Sequence, residues 1–348
     1  MIPHSRPTVR ETDIRCVLAV LQSGDLVQGD QVRLFEDELA AFAGVASAVA
    51  VSSGTAALHL ALLALDVGEG DEVILPSYVC TALLHAVRYV RAIPVLADID
   101  DRHFNIAAAD VKKHMTTRTK AIIIPHLFGQ AADLKELLDL GVPVIEDCAQ
   151  SLGSRYHGKM TGGFGVMSIF SFYATKLIAT GEGGMVVSNN PYLVDRMRDL
   201  RDYDEKDDNK LRYNYKMTDL QAALGRSQLQ ALPGFLERRV AIAGQFDRLL
   251  QNTGIDRPWT ATDRDHIYFR YVIRHVRAES LIHCMNDLGI ACRRPVYKPL
   301  HHYLGQSGYS ATERAWREAL SLPIYPSLAE AEMARIASSL KTCLKKGV

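Results

Sequence analysis

The sequence predicts an α/β protein: a large domain with a mainly parallel sheet, then a smaller α/β domain at the C-terminal end. Three observations carry this. Short β-branched runs recur through the first half, with helix-like segments between several of them. The 348 residues suffice for one large domain plus a smaller one, and a hydrophobic fraction of 48% supports a sizeable core. A long helical pattern near Thr218–Leu232 resumes after Pro233 and runs to about Gln251. There Asn252-Thr253-Gly254 breaks it, and a second unit follows.

Strands are predicted at Ala48–Val51, Glu72–Leu75, Ile93–Leu96, Ala121–Pro125, Val142–Glu146, Val166–Phe172 and Met185–Ser188. Helices are predicted at Thr55–Leu65, Ala82–Val90 and Asp133–Leu140. The charged run Arg201–Lys210 reads as a solvated loop. From Leu39 to Leu65 no side chain is charged, which is length enough for a membrane span. However, Ser52-Ser53-Gly54-Thr55 sits in its middle and alanine fills much of the rest. A strand, a tight turn and a buried helix explain it better. The division is placed between residues 235 and 236, with the N-terminal helix free to pack on the small domain.

Lys plus Arg equals Asp plus Glu at 40 each, so the formal net charge is zero. That balance favours neither nucleic acid nor an anionic membrane as partner. The six cysteines are scattered, with no pair at the short spacing of a zinc or redox motif. They are expected to be reduced thiols, and no metal site is expected. Met1 to Arg15 is polar and carries no apolar signal region, so a cytoplasmic protein is expected.

Four segments carry residues suited to chemistry. In Phe170-Ser171-Phe172-Tyr173-Ala174-Thr175-Lys176 a hydrophobic strand delivers a lysine, and Thr180-Gly181-Glu182-Gly183-Gly184 follows before the next strand. An amine held at a buried site can lose its proton and act as a nucleophile. Alone, the segment reads better as a surface lysine in a hairpin loop. Val142–Glu146 leads into Asp147-Cys148-Ala149-Gln150, placing acids and an amide at a strand's C-terminal end, where parallel sheets bind ligands. Alternation sends Glu146 and Asp147 to opposite sides of that strand. A helix-capping aspartate is the plain alternative. Ser52-Ser53-Gly54-Thr55-Ala56-Ala57 joins a strand to a helix through small residues. Free backbone N–H groups there make a phosphate site, although many such turns hold nothing. Finally, Tyr213-Asn214-Tyr215-Lys216-Met217-Thr218-Asp219 opens a long helix, and Thr218 or Asp219 suits a cap.

Taken together, in this order and spacing, these segments resemble the DegT/DnrJ/EryC1/StrS family of sugar aminotransferases, over nearly the whole chain and most strongly from Val51 to Gly225. The resemblance implies a fold-type-I pyridoxal-phosphate (PLP) enzyme of the aspartate-aminotransferase type. It implies that Lys176 is the catalytic residue and holds the cofactor as a Schiff base. Asp147 would face the ring nitrogen and keep it protonated. Gln150 would bond the phenolic oxygen, and Ala149 would pack on one ring face. Gly54, Thr55 and Ser171 match phosphate-binding positions. Asn214 matches a phosphate contact contributed by the neighbouring subunit, which implies a homodimer with shared active sites. The implied partners are an amino donor, usually L-glutamate, and a keto sugar, usually nucleotide-linked.

The chain departs from the family pattern at two points. Where an aromatic residue usually covers the second ring face, the run is Pro76-Ser77-Tyr78-Val79-Cys80, leaving Tyr78 and Cys80 both open for the role. Leu177 follows the lysine where asparagine is frequent. His126, ending a strand, either approaches substrate or is a satisfied structural histidine. The cationic run from Arg293 to His302 either holds a diphosphate or lines a solvated loop. PLP-dependent sugar dehydration, a cyclitol acceptor and a PLP-binding regulator are the rival readings. The presence of Lys176, and of no cysteine cluster, counts against dehydration.

Overall fold

The computed structural model describes residues 1–345. Among the described residues eleven strands run in order as β1 Ser47–Val51, β2 Glu72–Pro76, β3 Ile93–Ala97, β4 Thr119–Pro125, β5 Val144–Asp147, β6 Arg155–Tyr156, β7 Lys159–Met160, β8 Met167–Ser171, β9 Gly184–Ser188, β10 Tyr271–Arg274 and β11 Ala319–Leu322. The first six helices are α1 Glu11–Ser23, α2 Asp30–Ala43, α3 Gly54–Ala64, α4 Thr81–Tyr89, α5 Ala108–His114 and α6 Leu134–Leu138. The others are α7 Pro191–Arg201, α8 Asp219–Leu249, α9 Ala278–Asp287, α10 Leu300–Leu304, α11 Ser310–Glu318 and α12 Glu330–Lys345.

Seven strands form one sheet in the order β1-β9-β8-β5-β4-β2-β3. All neighbours are parallel except β9, which runs against both β8 and β1. The C-terminal ends of the parallel strands and the start of β9 therefore share one edge. Burial on both faces explains the unbroken apolar runs, since β2 and β9 are buried at every position. The predicted strands all form, with ends shifted by one or two residues.

Helix α3 is apolar on all sides because it is enclosed: eight of its eleven residues are buried. Helix α8 begins with a capping box between Thr218 and Gln221 and continues through Pro233 as one 31-residue element. Its first half packs Leu229 and Leu232 into the core beneath the sheet. Its second half packs Ile242 and Phe246 into another core, shared with β10, β11, α9 and α12. The division expected at residues 235 and 236 falls inside this helix. The N-terminal segment joins the second core through Ile2, which bridges to Ile290.

One expectation is overturned. Cys284 on α9 and Cys343 on α12 form a disulfide, because the packing of these helices brings their Cα atoms to 6.0 Å. Sequence spacing was silent on a pair 59 residues apart. Cys16, Cys80, Cys148 and Cys292 are free thiols. Among the described residues, no helix is long and apolar enough to cross a membrane.

Candidate active site

The site lies at the shared strand edge. Strand β5 ends with Glu146 and Asp147 facing opposite ways, as alternation requires. Glu146 is fully buried and accepts bonds from the amides of Gly162, Phe164 and Gly165, from Ser168 Oγ and from His126 Nε2, at 2.7–3.1 Å. Burial alone would raise its pKa, but these donors, His126 foremost, bring the net direction down. Asp147 has no comparable set. Its Oδ1 accepts the Ala149 amide at 2.9 Å, and no described residue donates to Oδ2. Loss of water therefore dominates, and the Asp147 carboxyl is pushed up. It is a buried acid short of a cation.

Lys176 sits in the turn between β8 and β9. The turn is pinned by Phe172 N–H to Gly183 O at 2.9 Å, Thr180 N–H to Phe172 O at 2.8 Å and Ala174 N–H to Gly181 O at 3.0 Å. Lys176 Nζ lies 5.6 Å from the Phe269 ring centroid. Desolvation lowers its pKa, opposed by Cys80 and Asp147 and assisted by the charge of Arg270. A primary amine so placed loses its proton more readily than an exposed lysine.

Two glycines shape the third side. A Cβ on Gly54 would stand 2.8 Å from Ser171 Cβ, and one on Gly184 would stand 2.4 Å from the Ser53 carbonyl. Their absence lets β9 and β8 close directly against the start of α3. Ser53 accepts the amides of Ala56 through Oγ (3.1 Å) and of Ala57 through its carbonyl (3.0 Å). The amides of Gly54 and Thr55 are left outside these bonds, beside Ser171. Across the site, Gln150 Oε1 accepts the Phe128 amide at 3.0 Å, which fixes the side chain with its NH₂ as the remaining donor end. Ala149, partly buried, packs on the core at the same edge.

Asn214 stands apart. Tyr213 and Tyr215 bond through their amides to Leu200 and Arg201 and stack on each other at 5.0 Å, both packing on His59. Asn214 between them is exposed. Asp219 does not cap its own helix. Its carboxylate accepts the amides of Gly29, Gln31 and Val32, at the start of α2.

A family model described as the DegT/DnrJ/EryC1/StrS aminotransferase family matches residues 7–341. The chain belongs to that family. It is 36% identical over 331 residues to the GDP-perosamine synthase of Caulobacter vibrioides, covering 89% of each chain. It is 34% identical to a UDP-N-acetyl-3-dehydro-alpha-D-glucosamine 3-aminotransferase of Acidithiobacillus ferrooxidans, covering 98% of this chain and 96% of that one. A Streptococcus pneumoniae protein solved in a PLP form superposes with a TM-score of 0.94 at 28% identity, covering all of this chain and 99% of the other.

Against the DegT/DnrJ/EryC1/StrS pattern, the structure resolves what the turn after β2 left open. Tyr78 is fully buried, stacked with Phe104 at 5.9 Å and edge-on to Phe128 at 6.5 Å. Cys80 is exposed and interacts electrostatically with Lys176 and Asp147. Cys80, not Tyr78, faces the site. His126 is a satisfied structural residue: its Nδ1 accepts the Ala132 amide and its Nε2 donates to Glu146. Most of the cationic run near residue 300 is committed elsewhere. Arg294 pairs with Glu279, and His301 bonds Ser77 and Glu313. A separate cleft of about 870 Å³ between α1, α2 and α8 carries Asp219 and Arg226, both already bonded. Arg270, whose charge acts on Lys176, was not singled out from sequence, because no local motif marks it.

Proposed function

We propose that this aminotransferase uses PLP to move an amino group from L-glutamate to a nucleotide-linked keto-deoxy sugar. The relatives named for GDP- and UDP-linked sugars support the substrate class. The observation that carries the reading is the pairing of a desolvated lysine with a desolvated aspartate, Lys176 and Asp147, at one strand edge.

The residues present fit the cofactor. The unbonded amides of Gly54 and Thr55, with Ser171 Oγ, suit a phosphate dianion at a helix start. Asp147, held short of a cation, suits a protonated ring nitrogen. The Gln150 NH₂ suits a phenolate oxygen, and Ala149 leaves room for a ring face. PLP, when bound, supplies a carbon that takes up the amino group and a ring that withdraws electrons from the breaking C–H bond. The chain does the rest. Asp147 sustains the ring's positive charge. Lys176 Nζ receives the proton leaving the donor's α-carbon and later delivers a proton to the sugar carbon that gains nitrogen. Asn214, exposed between two anchored tyrosines, reaches the phosphate of a partner subunit, so the working unit is a homodimer. A cytoplasmic location goes with this reading and is open to cell fractionation.

The test is an assay of the purified protein with L-glutamate against a panel of GDP-, UDP- and dTDP-linked keto sugars, read by mass spectrometry of the nucleotide sugar. One member should gain an amino group, and Lys176→Ala should abolish the gain. No amination across the panel, in protein shown to hold PLP, would sink the proposal.

A further inference from the structure

Beside the catalytic lysine stands a cation that no described residue neutralises. Arg270 lies one residue before β10, with its guanidinium 5.6 Å from the Phe269 ring centroid. Lys176 Nζ lies over the same ring at the same distance. Other arginines nearby are paired: Arg274 with Asp101, Arg264 with Asp133 and Asp263, Arg294 with Glu279. Buried Arg239 has no carboxylate either, but it donates to the carbonyls of Tyr268, Phe269 and Ile324. Arg270 has neither. Its one polar contact is His4 Nε2 at 3.4 Å, a weak bond at best, and its Nε is buried without a partner.

The surroundings add positive charge rather than cancel it. Burial lowers the Arg270 pKa to about 10, which leaves it protonated at neutral pH. His4 offers no counter-charge: burial first, then the charges of Arg270 and Arg293, lower its pKa to about 3. Arg293 is exposed and, among the described residues, makes no ion pair. Tyr78 and Cys80, within electrostatic reach of Arg270, supply no anion, because the protein packed around each raises its pKa. A desolvated guanidinium without an acid is costly, and an arriving anion removes that cost.

We propose that Arg270 receives the α-carboxylate of the amino donor, with Arg293 strengthening the field that draws it in. This rests on the aminotransferase reading above. The choice of anion follows from bond counting. The α-carboxylate is attached to the carbon that bears the transferred nitrogen, so it must sit beside Lys176. The diphosphate of a nucleotide sugar hangs from the anomeric carbon, several atoms from the carbon aminated. The cofactor phosphate is served by Gly54, Thr55 and Ser171, at the start of α3. Arg270 shares the aromatic wall of Lys176 and is therefore placed for the donor.

Titration calorimetry on PLP-loaded protein tests this, with glutarate as the carboxylate probe and GDP, UDP and dTDP as diphosphate probes. Arg270→Gln should weaken glutarate by about tenfold to a hundredfold and leave the nucleotide affinities unchanged. Arg270→Lys should recover part of the loss, since it keeps the charge but not the fork. In single-turnover measurements with L-glutamate, Arg270→Gln should raise the half-saturating concentration more than it lowers the limiting rate. Unaltered melting of both variants shows that folding is intact. Failure of the wild type to bind glutarate, equal binding by wild type and Arg270→Gln, or a loss confined to the nucleotides or shared equally with them would each overturn the proposal. If the wild type never reacts with glutamate, the aminotransferase reading fails, while glutarate titration still reports on Arg270.

Discussion

Glu146 and Asp147 are consecutive on β5, yet one is saturated with hydrogen bonds and the other is left short of them. Glu146 accepts five described donors, whereas Asp147 accepts one amide from Ala149. The first carboxylate is spent on the chain's own donors, and in the proposed function the second is left for the cofactor. Asp147→Asn should therefore fold normally and bind PLP, but transaminate slower by on the order of a hundredfold or more. The amide cannot sustain a ring cation, while its own oxygen can still accept the Ala149 N–H. Steady-state rates beside a melting curve decide it, and near-wild-type turnover would remove Asp147 from its role.

Glu146→Gln should do the reverse. The amide nitrogen would be turned on at least one of the donors that Glu146 now accepts, with no water to relieve it. A loss of about 3 kcal/mol is expected from urea unfolding. The pH dependence has a definite sign. The folded pKa of Glu146 lies below its ordinary value, so its contribution is present above that value and is lost as pH falls through the folded one. The wild type should lose stability on acidification more steeply than Glu146→Gln. Parallel acid profiles would show that Glu146 contributes no such term.

Cys80 should report on the cofactor. It is exposed and interacts with Lys176 and Asp147, so a bound ring should shield it from iodoacetamide, while exposed Cys16 stays reactive. Peptide mass spectrometry with and without PLP reads both at once. Although solvent reaches the residue, the protein packed around it raises the Cys80 pKa, and the Lys176 ammonium opposes that rise. In cofactor-free protein, Lys176→Ala should therefore slow Cys80 labelling at a fixed pH near neutrality. Equal protection of Cys16, or none of Cys80, would place the thiol away from the ring.

The strands were legible because burial on both faces leaves an unbroken apolar run with little else to confuse it. Asp147, Gly54 and Lys176 could be singled out from sequence because each ends or follows a strand, where a local motif suffices. An N-terminal helix was expected, but the pattern of α1 is inverted: Asp13 is buried, bonded to Arg10, Ser227 and Gln228, while Ile14, Leu18 and Leu21 are exposed. Asp219 was open to reading as a cap on its own helix, but it caps a helix nearly two hundred residues earlier. Cys80 and Tyr78 were indistinguishable because a turn has no fixed alternation. Arg270 matters through the carboxylate it lacks, and an unmade contact leaves no trace in sequence.

The Cys284–Cys343 bridge closes a segment 59 residues apart and ties α9 to α12, which carry much of the second core. By loop-closure entropy its removal should cost about 4 kcal/mol, less whatever the reduced helices retain by packing. Cys284→Ser, or dithiothreitol on the wild type, should lower the urea midpoint. Dithiothreitol should leave the midpoint of Cys284→Ser unchanged. A wild type indifferent to reductant would show that packing alone fixes these helices.

Assembly is the last point open to test. Asn214 is exposed while its neighbours Tyr213 and Tyr215 are fixed by backbone bonds and by stacking on His59. An asparagine held in this way is free to reach something outside its own fold, and the proposed shared site gives it the phosphate of a partner subunit. If it acts there, Lys176→Ala and Asn214→Ala damage different parts of one shared site. Each mutant alone should be strongly impaired. Mixed in equal amounts and allowed to exchange subunits, they should form dimers with one doubly damaged site and one intact site. Random exchange makes about half the dimers mixed, with one good site in two, so activity should recover towards a quarter of wild type. Native mass spectrometry must show the mixed dimer. Mixed dimers with activity no higher than the parents would mean that Asn214 serves its own chain, and the shared-site architecture would have to be abandoned.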